Sequence, residues 1–452
     1  MHADSRPRRL VFAALTVALT ALIAGCVQNP NSIFHNRTDF NRDVGSLFKL
    51  LIWLGTIVFV FTEALLIYAL VKYRSRPGKP REPEQVHGNT KLEIMWTVLP
   101  AVVLAAIAVP TVQTIFKTQR NVPPDALQVE VIGHQWWWEF RYPQYNVTTA
   151  NELYLPIGRT VDFALKTHDV IHSFWIPGLG GKRDLVNNRT NHIWFTPDST
   201  TEEAFNGFCA EYCGASHANM RFRAFTVATE QFASWIAHQQ TPAVAAAAPT
   251  TPAVTPGQVR GATFVAPGTQ VNPNVNLPNT PAGVSGTITP STGPRGANVQ
   301  TAPNAQTPAP VQAGFITFPL ERMAAHTIPH TPVPPTLSFD TTLTGDPSSG
   351  FALVSRGSCI GCHTIKGVPG MVAQTGPDLT HVGSRHTIAG GLFPNDKFHL
   401  ARWIKNSRAM KPGVLMPTQG KGQYDPVIRS TLQIGLTDQQ IADVVAYLQS
   451  LK

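Results

Sequence analysis

Two long apolar stretches limit what this chain can fold into. Residues Leu47 to Val71 and Ile94 to Phe116 are each long enough to cross a hydrocarbon layer of ~30 Å as a helix. The segment between them, residues 72–93, carries six Lys or Arg residues against three Glu residues. Because basic loops stay on the cytoplasmic side of a membrane, the pattern predicts a transmembrane hairpin at residues 47–116 with both ends outside the cytoplasm.

The N-terminus has the layout of a bacterial export signal. Three arginines among the first nine residues precede an apolar run that is too short for a membrane span. The run ends in small residues directly before Cys26, which resembles a lipoprotein cleavage site. We predict a lipoprotein-type signal peptide at residues 1–25, lipidation of Cys26, and a periplasmic segment at residues 26–46. The alternative is an ordinary signal or an uncleaved anchor with an incidental cysteine.

Residues 117–237 have the pattern of a β-rich domain. Short segments rich in Val, Ile, Phe and Trp are separated by Pro, Gly and Asn, which is typical of antiparallel strands. The segment therefore predicts an all-β barrel or sandwich. The predicted strands are Leu127 to Ile132, Trp136 to Tyr142, Thr160 to Lys166, His192 to Phe195 and Phe222 to Ala228.

The remaining sequence divides into a linker and a small helical domain. Residues 238–344 consist largely of Ala, Pro, Thr, Val, Gly and Asn with little charge, which predicts a linker. Within residues 345–452, apolar residues recur at helical intervals in Phe398 to Asn406 and in Asp438 to Leu451, which predicts an all-α domain. Thr437 is the predicted N-cap of the last helix.

The formal charge of +9 does not point to nucleic acid. The basic residues are scattered, and no basic helix interleaved with aromatic residues is present, so we predict no nucleic-acid partner. The 38 prolines and the low charge of 14% instead fit a membrane anchor joined to tethered domains.

All five cysteines fall inside short motifs. Besides Cys26, they form the pair Cys209 and Cys213 and the pair Cys359 and Cys362. The pattern leaves no cysteine over for a structural disulfide, although an exported chain could form one.

The pair Cys209 and Cys213 lies in the densest set of candidate metal ligands. His217 and Met220 follow within the same twelve residues, and two thiols, an imidazole and a thioether form a soft set that suits copper. His172 is the candidate for a second imidazole. The alternative is a structural zinc site, since two Cys and two His satisfy tetrahedral zinc, but zinc has no use for the thioether of Met220.

This loop, together with the segments Gly133 to Trp138 and Asp169 to Phe174, resembles the CuA domain of cytochrome c oxidase subunit II. The likeness covers about residues 45–237 and implies a cupredoxin-like fold with two copper ions. It implies that Cys209 and Cys213 bridge the metals, and that His172, His217, Met220 and the backbone carbonyl of Glu211 complete the ligand set.

The same resemblance implies roles for three further residues. It makes Trp136 the residue at which electrons enter the copper site, and it directs the side chain of Glu211 to a magnesium ion shared with subunit I. It relates Glu93 to proton uptake, although an exposed carboxylate at a helix end explains that residue equally well. Glu63 lies inside the first span, where an ionisable group is costly, and its role stays open.

Residues 359–363 form a C-x-x-C-H sequence, which predicts covalent attachment of haem c through Cys359 and Cys362 with His363 as an axial ligand. A thioredoxin-like dithiol is the alternative, and it would not need His363. Met416, in a Pro-bounded loop that resembles the methionine loop of class I cytochromes c, is the predicted second axial ligand. Met410 and Met371 are its competitors.

The resemblance implies an electron-relay subunit of a proton-translocating cytochrome c oxidase in the bacterial inner membrane, with oxygen reduced in subunit I. The implied partners are subunit I and other oxidase subunits, membrane lipid, and a donor such as a cytochrome c or a quinol–cytochrome c reductase complex. Two alternatives stay open: a subunit of a copper-containing nitric oxide reductase, and a non-catalytic copper-delivery or electron-storage lipoprotein. A quinol-oxidase subunit is excluded because that branch lacks the copper ligands.

Opposite net charges suggest how the two soluble domains meet. Residues 117–237 carry twelve acidic and ten basic side chains, a net charge of −2, whereas residues 345–452 carry six acidic and eleven basic ones, a net charge of +5. We therefore expect the two domains to attract each other, in a manner that salt would weaken.

Overall fold

The computed structural model describes residues 13–14, 16–17, 20, 31–74, 87–119, 122–200, 202–243 and 317–452. The predicted lipidation site Cys26, most of the predicted signal peptide and most of the predicted linker lie outside these residues. Two parts of the described chain are named here by their structure. They are the β-domain, residues 122–243, and the helical domain, residues 333–452.

Two helices are long and apolar enough to cross a membrane. Helix α1 spans Asp39–Lys72 and helix α2 spans Thr90–Gln119, with mean hydropathies of 2.3 and 2.2 in their most apolar windows. Helix α1 begins earlier than the apolar pattern predicts, because its first turn packs against the β-domain. The Thr38 hydroxyl donates to the carbonyl of Leu179 at 2.6 Å, and the Asn41 amide donates to that of Pro177 at 3.0 Å.

The β-domain is a sandwich of two five-stranded sheets with the orders β3-β2-β1-β5-β8 and β4-β10-β9-β6-β7. All five predicted strands are confirmed. The strands are β1 Leu127–His134, β2 Trp137–Tyr142, β3 Val147–Ala150, β4 Glu152–Pro156, β5 Val161–Thr167, β6 His172–Trp175, β7 Arg183–Leu185, β8 Asn191–Phe195, β9 Ala204–Cys209 and β10 Arg221–Val227.

Aromatic side chains fill the space between the two sheets. Phe174 of β6 stacks on Phe222 of β10 with ring centroids 5.2 Å apart, and Trp138 and Phe140 of β2 pack edge-on against Phe222. Helix α3, Thr229–Gln240, closes one side of this core. Such bulky, well-packed rings give β6 and β9 a rigid support, and these strands carry the predicted copper ligands.

The helical domain contains α4 Pro347–Arg356, α5 Lys397–Lys405, α6 Ser407–Met410 and α7 Asp438–Ser450, with the short paired strands β11 Thr387–Ile388, β12 Phe393–Pro394, β13 Tyr424–Asp425 and β14 Ser430–Thr431. Both predicted helices are confirmed. Thr437 caps α7, and Gln440 completes a capping box by accepting from the Thr437 backbone N–H. Helices α4 and α7 touch backbone to backbone, since a Cβ at Gly350 would lie 2.0 Å from the Asp443 carbonyl oxygen.

The predicted linker at residues 238–344 is too long at both ends. Helix α3 continues through Gln240, and residues 317–344 are packed against the domains. Phe318 contributes to the β-domain core, 5.2 Å from the ring of Phe225, and Leu337 and Phe339 contribute to the helical-domain core. Phe318 lies in a short apolar stretch of the sequence, Phe315 to Met323, which suggests local docking. The sequence does not indicate the partner, because the segment is irregular and its few apolar residues follow neither helical nor strand periodicity.

The two domains belong to one compact unit and share a buried interface. The carboxylate of Glu152 accepts from the backbone N–H groups of His386 and Thr387 at 2.7 and 2.9 Å, and the N–H of Arg221 donates to Gly390 at 3.1 Å. These contacts are short and shielded from water, unlike the attraction of net charges that the composition suggests. We therefore expect docking to depend less on salt than that hypothesis implies.

A histidine pair makes the docking sensitive to acid. The rings of His238, in α3, and His381, in the helical domain, lie 4.4 Å apart between centroids. Burial, together with repulsion from the positive charge that His381 would carry, lowers the pKa of His238 to about 4. Burial also lowers the pKa of His381. Both rings are therefore neutral while the domains are docked. Once separated, they regain the ordinary pKa of about 6.5 and bind protons more readily.

A third histidine at the interface, His386, acts in the opposite direction: burial acts to lower its pKa, but Glu152 outweighs burial and raises it while the domains are docked. Since the pair can gain two protons on separation and His386 loses one, docking is still expected to hold at pH 7 and to weaken as the pH falls from about 6.5 toward 4. Small-angle scattering of the full subunit over this range would follow the separation. The variant His381→Gln cannot gain this proton and should shift the transition to lower pH, whereas His399→Gln, a histidine outside the interface contacts, should not. A separation that is constant from pH 7 to 4 would contradict the prediction.

Candidate copper and haem sites

The structure brings the predicted copper ligands together at one end of the β-sandwich. Cys209 ends β9, Cys213 lies in the following loop, and their sulfur atoms are 3.7 Å apart. His172, at the start of the neighbouring strand β6, places Nδ1 3.8 Å from the Cys209 sulfur. His217 Nδ1 and Met220 Sδ lie 3.6 and 3.8 Å from the Cys213 sulfur. The ligand atoms of His172 and both cysteines all lie within 4.8 Å of one another.

His172 is held in place by its other ring nitrogen. Its Nε2 donates to Asp169 Oδ1 at 2.7 Å, which leaves Nδ1 free of a proton and directed at the thiols. A carboxylate behind a ligating imidazole fixes the ring and raises its basicity. Gly133 makes room for this ring, because a Cβ there would lie 2.6 Å from its Cδ2 atom.

The titration behaviour of the two thiols also suits a metal site. A hydrogen bond from Cys213 lowers the pKa of Cys209 to about 4, and the same interaction raises that of Cys213, so the pair readily gives up one of its two protons. Burial acts to lower the pKa of His172, but its bonds to Asp169 and Cys209 outweigh burial and raise it. Thiolates are the ligand form of cysteine, so the site is prepared for a cation.

The donor set fits copper better than zinc. Thiolate, imidazole and thioether together form the soft set that copper prefers. Structural zinc would be satisfied by two thiols and two imidazoles, yet Met220 is buried with its sulfur facing Cys213. The backbone oxygen of Glu211 lies 3.2 Å from the Cys209 sulfur, near enough to share the same metal.

The three consecutive tryptophans have three different surroundings. Trp138 is buried in the sandwich core, and Trp137 stacks on His134 with ring centroids 4.2 Å apart. Trp136 instead lies on the ligand loop, and its indole N–H donates to the Cys213 carbonyl at 2.9 Å. Gln135 donates to the same carbonyl at 2.8 Å, so this turn supports the loop at the position of a ligand.

A largely apolar cavity between the helical domain and the β-domain is lined by Cys359, Cys362 and His363 of the C-x-x-C-H sequence and by Met416. The His363 Nδ1–H donates to the carbonyl of Pro377 at 2.8 Å, which leaves Nε2 without a proton and available to a metal. Gly376 lies flat against this ring, because a Cβ there would lie 2.6 Å from its Cε1 atom. Burial raises the pKa of Cys359, which disfavours the thioredoxin-like alternative, since a reactive dithiol needs a lowered thiol pKa.

The residues of this cavity fit a covalently bound haem. Two thiols, an imidazole and a thioether line it, as attachment and axial ligation require. Two basic side chains, the half-buried Arg385 and the buried Lys411, also line it and suit a group that carries carboxylates. Of the three candidate methionines, Met416 lines the cavity, whereas Met410 and Met371 are buried in the domain core.

The remaining predicted residues are three glutamates, Glu211, Glu93 and Glu63, and each has different surroundings. The side chain of Glu211 is exposed at the tip of the copper loop, next to Tyr212. The Glu93 carboxylate accepts from the backbone N–H of Asn89 at 3.2 Å, so it caps the start of α2. Glu63 lies half-buried in the middle of α1, and its role stays open.

Two residues of these sites escaped sequence reasoning. Asp169, the carboxylate behind His172, could have been found from its spacing of three residues before a predicted ligand. Lys411 could not, because a lysine ahead of a Pro–Gly turn suggests an exposed loop, whereas here its side chain is buried between the domains.

Three family models match the chain: cytochrome c oxidase subunit II, transmembrane domain, over residues 37–114, its periplasmic domain over residues 146–227, and cytochrome c over residues 348–452. The chain is 28% identical to cytochrome c oxidase subunit 2 of Alkalihalophilus pseudofirmus, over 88% of this chain and 83% of that protein. It is 30% identical to probable cytochrome c oxidase subunit 2 of Rickettsia bellii, over 41% of this chain and 76% of that protein.

Among solved structures, the periplasmic domain of subunit II of cytochrome oxidase from Bradyrhizobium japonicum is 29% identical, over 26% of this chain and 97% of that one, with a TM-score of 0.25. The oxidase relatives and the cytochrome c domain together do not favour the nitric oxide reductase or copper-delivery alternatives. The matched domains suggest copper and haem c as cofactors and two membrane spans. The chain therefore belongs to the cytochrome c oxidase subunit II family, and it is an electron-transfer subunit of a haem–copper oxidase with a cytochrome c domain in residues 348–452.

Proposed function

We propose that this subunit passes electrons from an external donor through its helical domain to its β-domain, and from there to subunit I. When bound, haem c would carry one electron at a time, and the pair of copper ions together would also carry one. Cys359, Cys362, His363 and Met416 would hold the haem. His172, Cys209, Cys213, His217, Met220 and the Glu211 carbonyl would hold the copper pair.

The observation that carries this proposal is the position of Trp136. Its side chain lines the haem cavity and also donates to the carbonyl of Cys213, so one indole touches both sites. Two glycines, one on each side of the Trp136 indole, leave space for the ring in this position. A Cβ at Gly413, before Met416, would lie 2.9 Å from the indole, and one at Gly214, in the copper loop, would lie 3.0 Å from it. Both glycines have positive φ angles, +84° and +110°, which disfavour other residues.

Several finer assignments belong to the same proposal. Both domains would lie on the periplasmic side of the inner membrane, and the predicted lipid on Cys26 would add an anchor. The exposed Glu211 carboxylate would reach a magnesium ion that subunit I completes, next to the exposed Tyr212. Glu93 would take part in proton uptake, although its present contact is a helix cap. A cytochrome c or a quinol–cytochrome c reductase complex would be the donor.

Trp136→Phe tests the proposal in the full oxidase complex. The variant keeps an aromatic ring but loses the N–H that bonds to Cys213, so we expect electron transfer from the helical domain to the β-domain to slow at least about tenfold, or about 1.4 kcal/mol. The rate is measured by flash-induced reduction, followed at the absorption bands of haem c and of the copper pair. Trp137→Phe is the matched control: Trp137 also lines the cavity, but its ring stacks on His134 and has no bond to Cys213, so the rate should change little.

Metal and haem contents must equal those of the unchanged protein in both variants, so that the rate reports the path alone. Equal electron-transfer rates in the two variants would contradict the role proposed for Trp136. A mixed-valence dinuclear copper signal missing from the unchanged complex would overturn the copper assignment itself.

A further inference from the structure

Lys411 lies buried between the two domains. It is 2% exposed and precedes the loop that leads to Met416. Its ammonium donates to the backbone carbonyl of Trp136 at 2.5 Å and to that of Ala389 at 2.9 Å. The first carbonyl belongs to the β-domain and the second to the helical domain, so one side chain joins three segments of the chain.

The main chain around Lys411 is fixed on both sides. Its backbone N–H donates to the carbonyl of Ser407 at 2.8 Å, a bond that closes the last turn of α6. The next residue, Pro412, accepts a hydrogen bond from the Ser216 hydroxyl of the copper loop. The lysine therefore does not depend on a flexible loop to reach Trp136.

Gly390 provides the space for the ammonium. A Cβ at this position would lie 2.7 Å from Lys411 Nζ and 3.2 Å from the Trp136 oxygen, and the backbone has a φ of +77°. The next contact along the interface is the bond from the Arg221 N–H to the Gly390 carbonyl, at 3.1 Å. A side chain at residue 390 would therefore strain the backbone and displace the ammonium from its place between the two carbonyls.

We propose that Lys411 is the positioning residue that fastens the helical domain to the β-domain and holds the Trp136 turn against the loop that carries Met416. A donor bonded to two shielded carbonyls contributes more than a surface ion pair, because water does not compete for the bonds. Burial lowers the pKa of Lys411 to about 7, yet a neutral amine still has two N–H groups for the same two carbonyls. The contact therefore does not depend on the charge of the lysine.

The purpose of this contact rests on the proposed function, but the contact itself can be tested without it. Hydrogen exchange of the full subunit, with both cofactors loaded, reports on backbone N–H groups that bond across the interface. The N–H of Arg221 bonds to Gly390, and that of Thr387 bonds to Glu152. The N–H groups of Cys209 and Ile441 bond inside their own domains and serve as internal references.

In Lys411→Met, which keeps the length of the side chain without its donors, exchange at Arg221 and Thr387 is expected to rise about tenfold or more. Exchange at Cys209 and Ile441 should stay within about twofold. Gly390→Ala, which displaces the ammonium from the other side, should give the same pattern. Lys421→Met, an exposed lysine of the same domain, is the matched control and should leave all four rates unchanged.

Unchanged exchange at Arg221 and Thr387 in Lys411→Met would overturn the proposal. A rise of equal size at Cys209 and Ile441 would also overturn it, because Lys411 would then support the fold in general rather than the interface. Should the interface open while electron transfer keeps its rate, the proposed path through Trp136 would fail and the positioning role would stand.

Discussion

Replacement of Cys213 by serine is expected to abolish the proposed dinuclear copper site. The Cys213 sulfur lies within reach of three other ligand atoms, 3.7 Å from the Cys209 sulfur, 3.6 Å from His217 Nδ1 and 3.8 Å from Met220 Sδ. A serine hydroxyl is hard and weakly acidic, so it would not replace a soft thiolate in holding copper. Metal analysis should give at most one copper per chain, and the mixed-valence paramagnetic signal should disappear.

Two further variants make this experiment quantitative. Ala210→Ser introduces the same hydroxyl into the same loop without removing a ligand, so it should retain both copper ions and the signal. Asp169→Asn keeps all ligands but loses the carboxylate behind His172, so copper affinity should fall roughly 10- to 100-fold. A full mixed-valence signal in Cys213→Ser would exclude the proposed copper centre.

The ligand loop illustrates what the sequence could predict. Cys209, Cys213, His217 and Met220 lie within twelve residues, so closing one loop brings them together whatever the rest of the chain does. His172 is different. It lies far earlier in the chain, and it reaches the site because β6 pairs with β9 in a register that sets Phe174 opposite Cys209. Spacing alone gives no such register, so the sequence could name His172 as a candidate second imidazole but could not show how it reaches the loop.

The interface between the domains could not be predicted from local patterns. Glu152, His386 and Lys411 belong to segments far apart in the sequence, and each is polar, which suggests exposure. Docking buries all three, and each finds its partner in another segment. Residues 317–344 show the same limit, because their apolar side chains pack without regular secondary structure.

This interface changes how the fusion of two electron carriers is understood. A flexible tether raises the local concentration of one domain near the other, and a long tether does so weakly. Here buried hydrogen bonds hold the domains in one orientation, and Trp136 lies between their two sites. The tether is then needed to keep the domains in one chain, while side chains such as Lys411 determine their geometry.

Replacement of Met416 by alanine is expected to remove the proposed second axial ligand of the haem while leaving the haem attached. Met416 lines the cavity that also contains His363, and its carbonyl accepts from the Ser407 hydroxyl at 2.8 Å. The ion pair between Arg408 and the buried Asp425, with N–O distances of 2.6 Å, braces the same loop. The variant should lose the optical band of thioether-ligated ferric haem, and its reduction potential should fall, because a methionine ligand raises it.

Met410 and Met371 are the matched controls for this change. Both are buried in the domain core, 6% and 1% exposed, and neither lines the cavity. Alanine at either position should leave the optical band and the potential unchanged but lower the free energy of unfolding by about 2–5 kcal/mol, because it creates a cavity. If Met416→Ala kept the band and Met410→Ala lost it, the axial ligand would be Met410, and the loop that lies against Trp136 would serve docking alone.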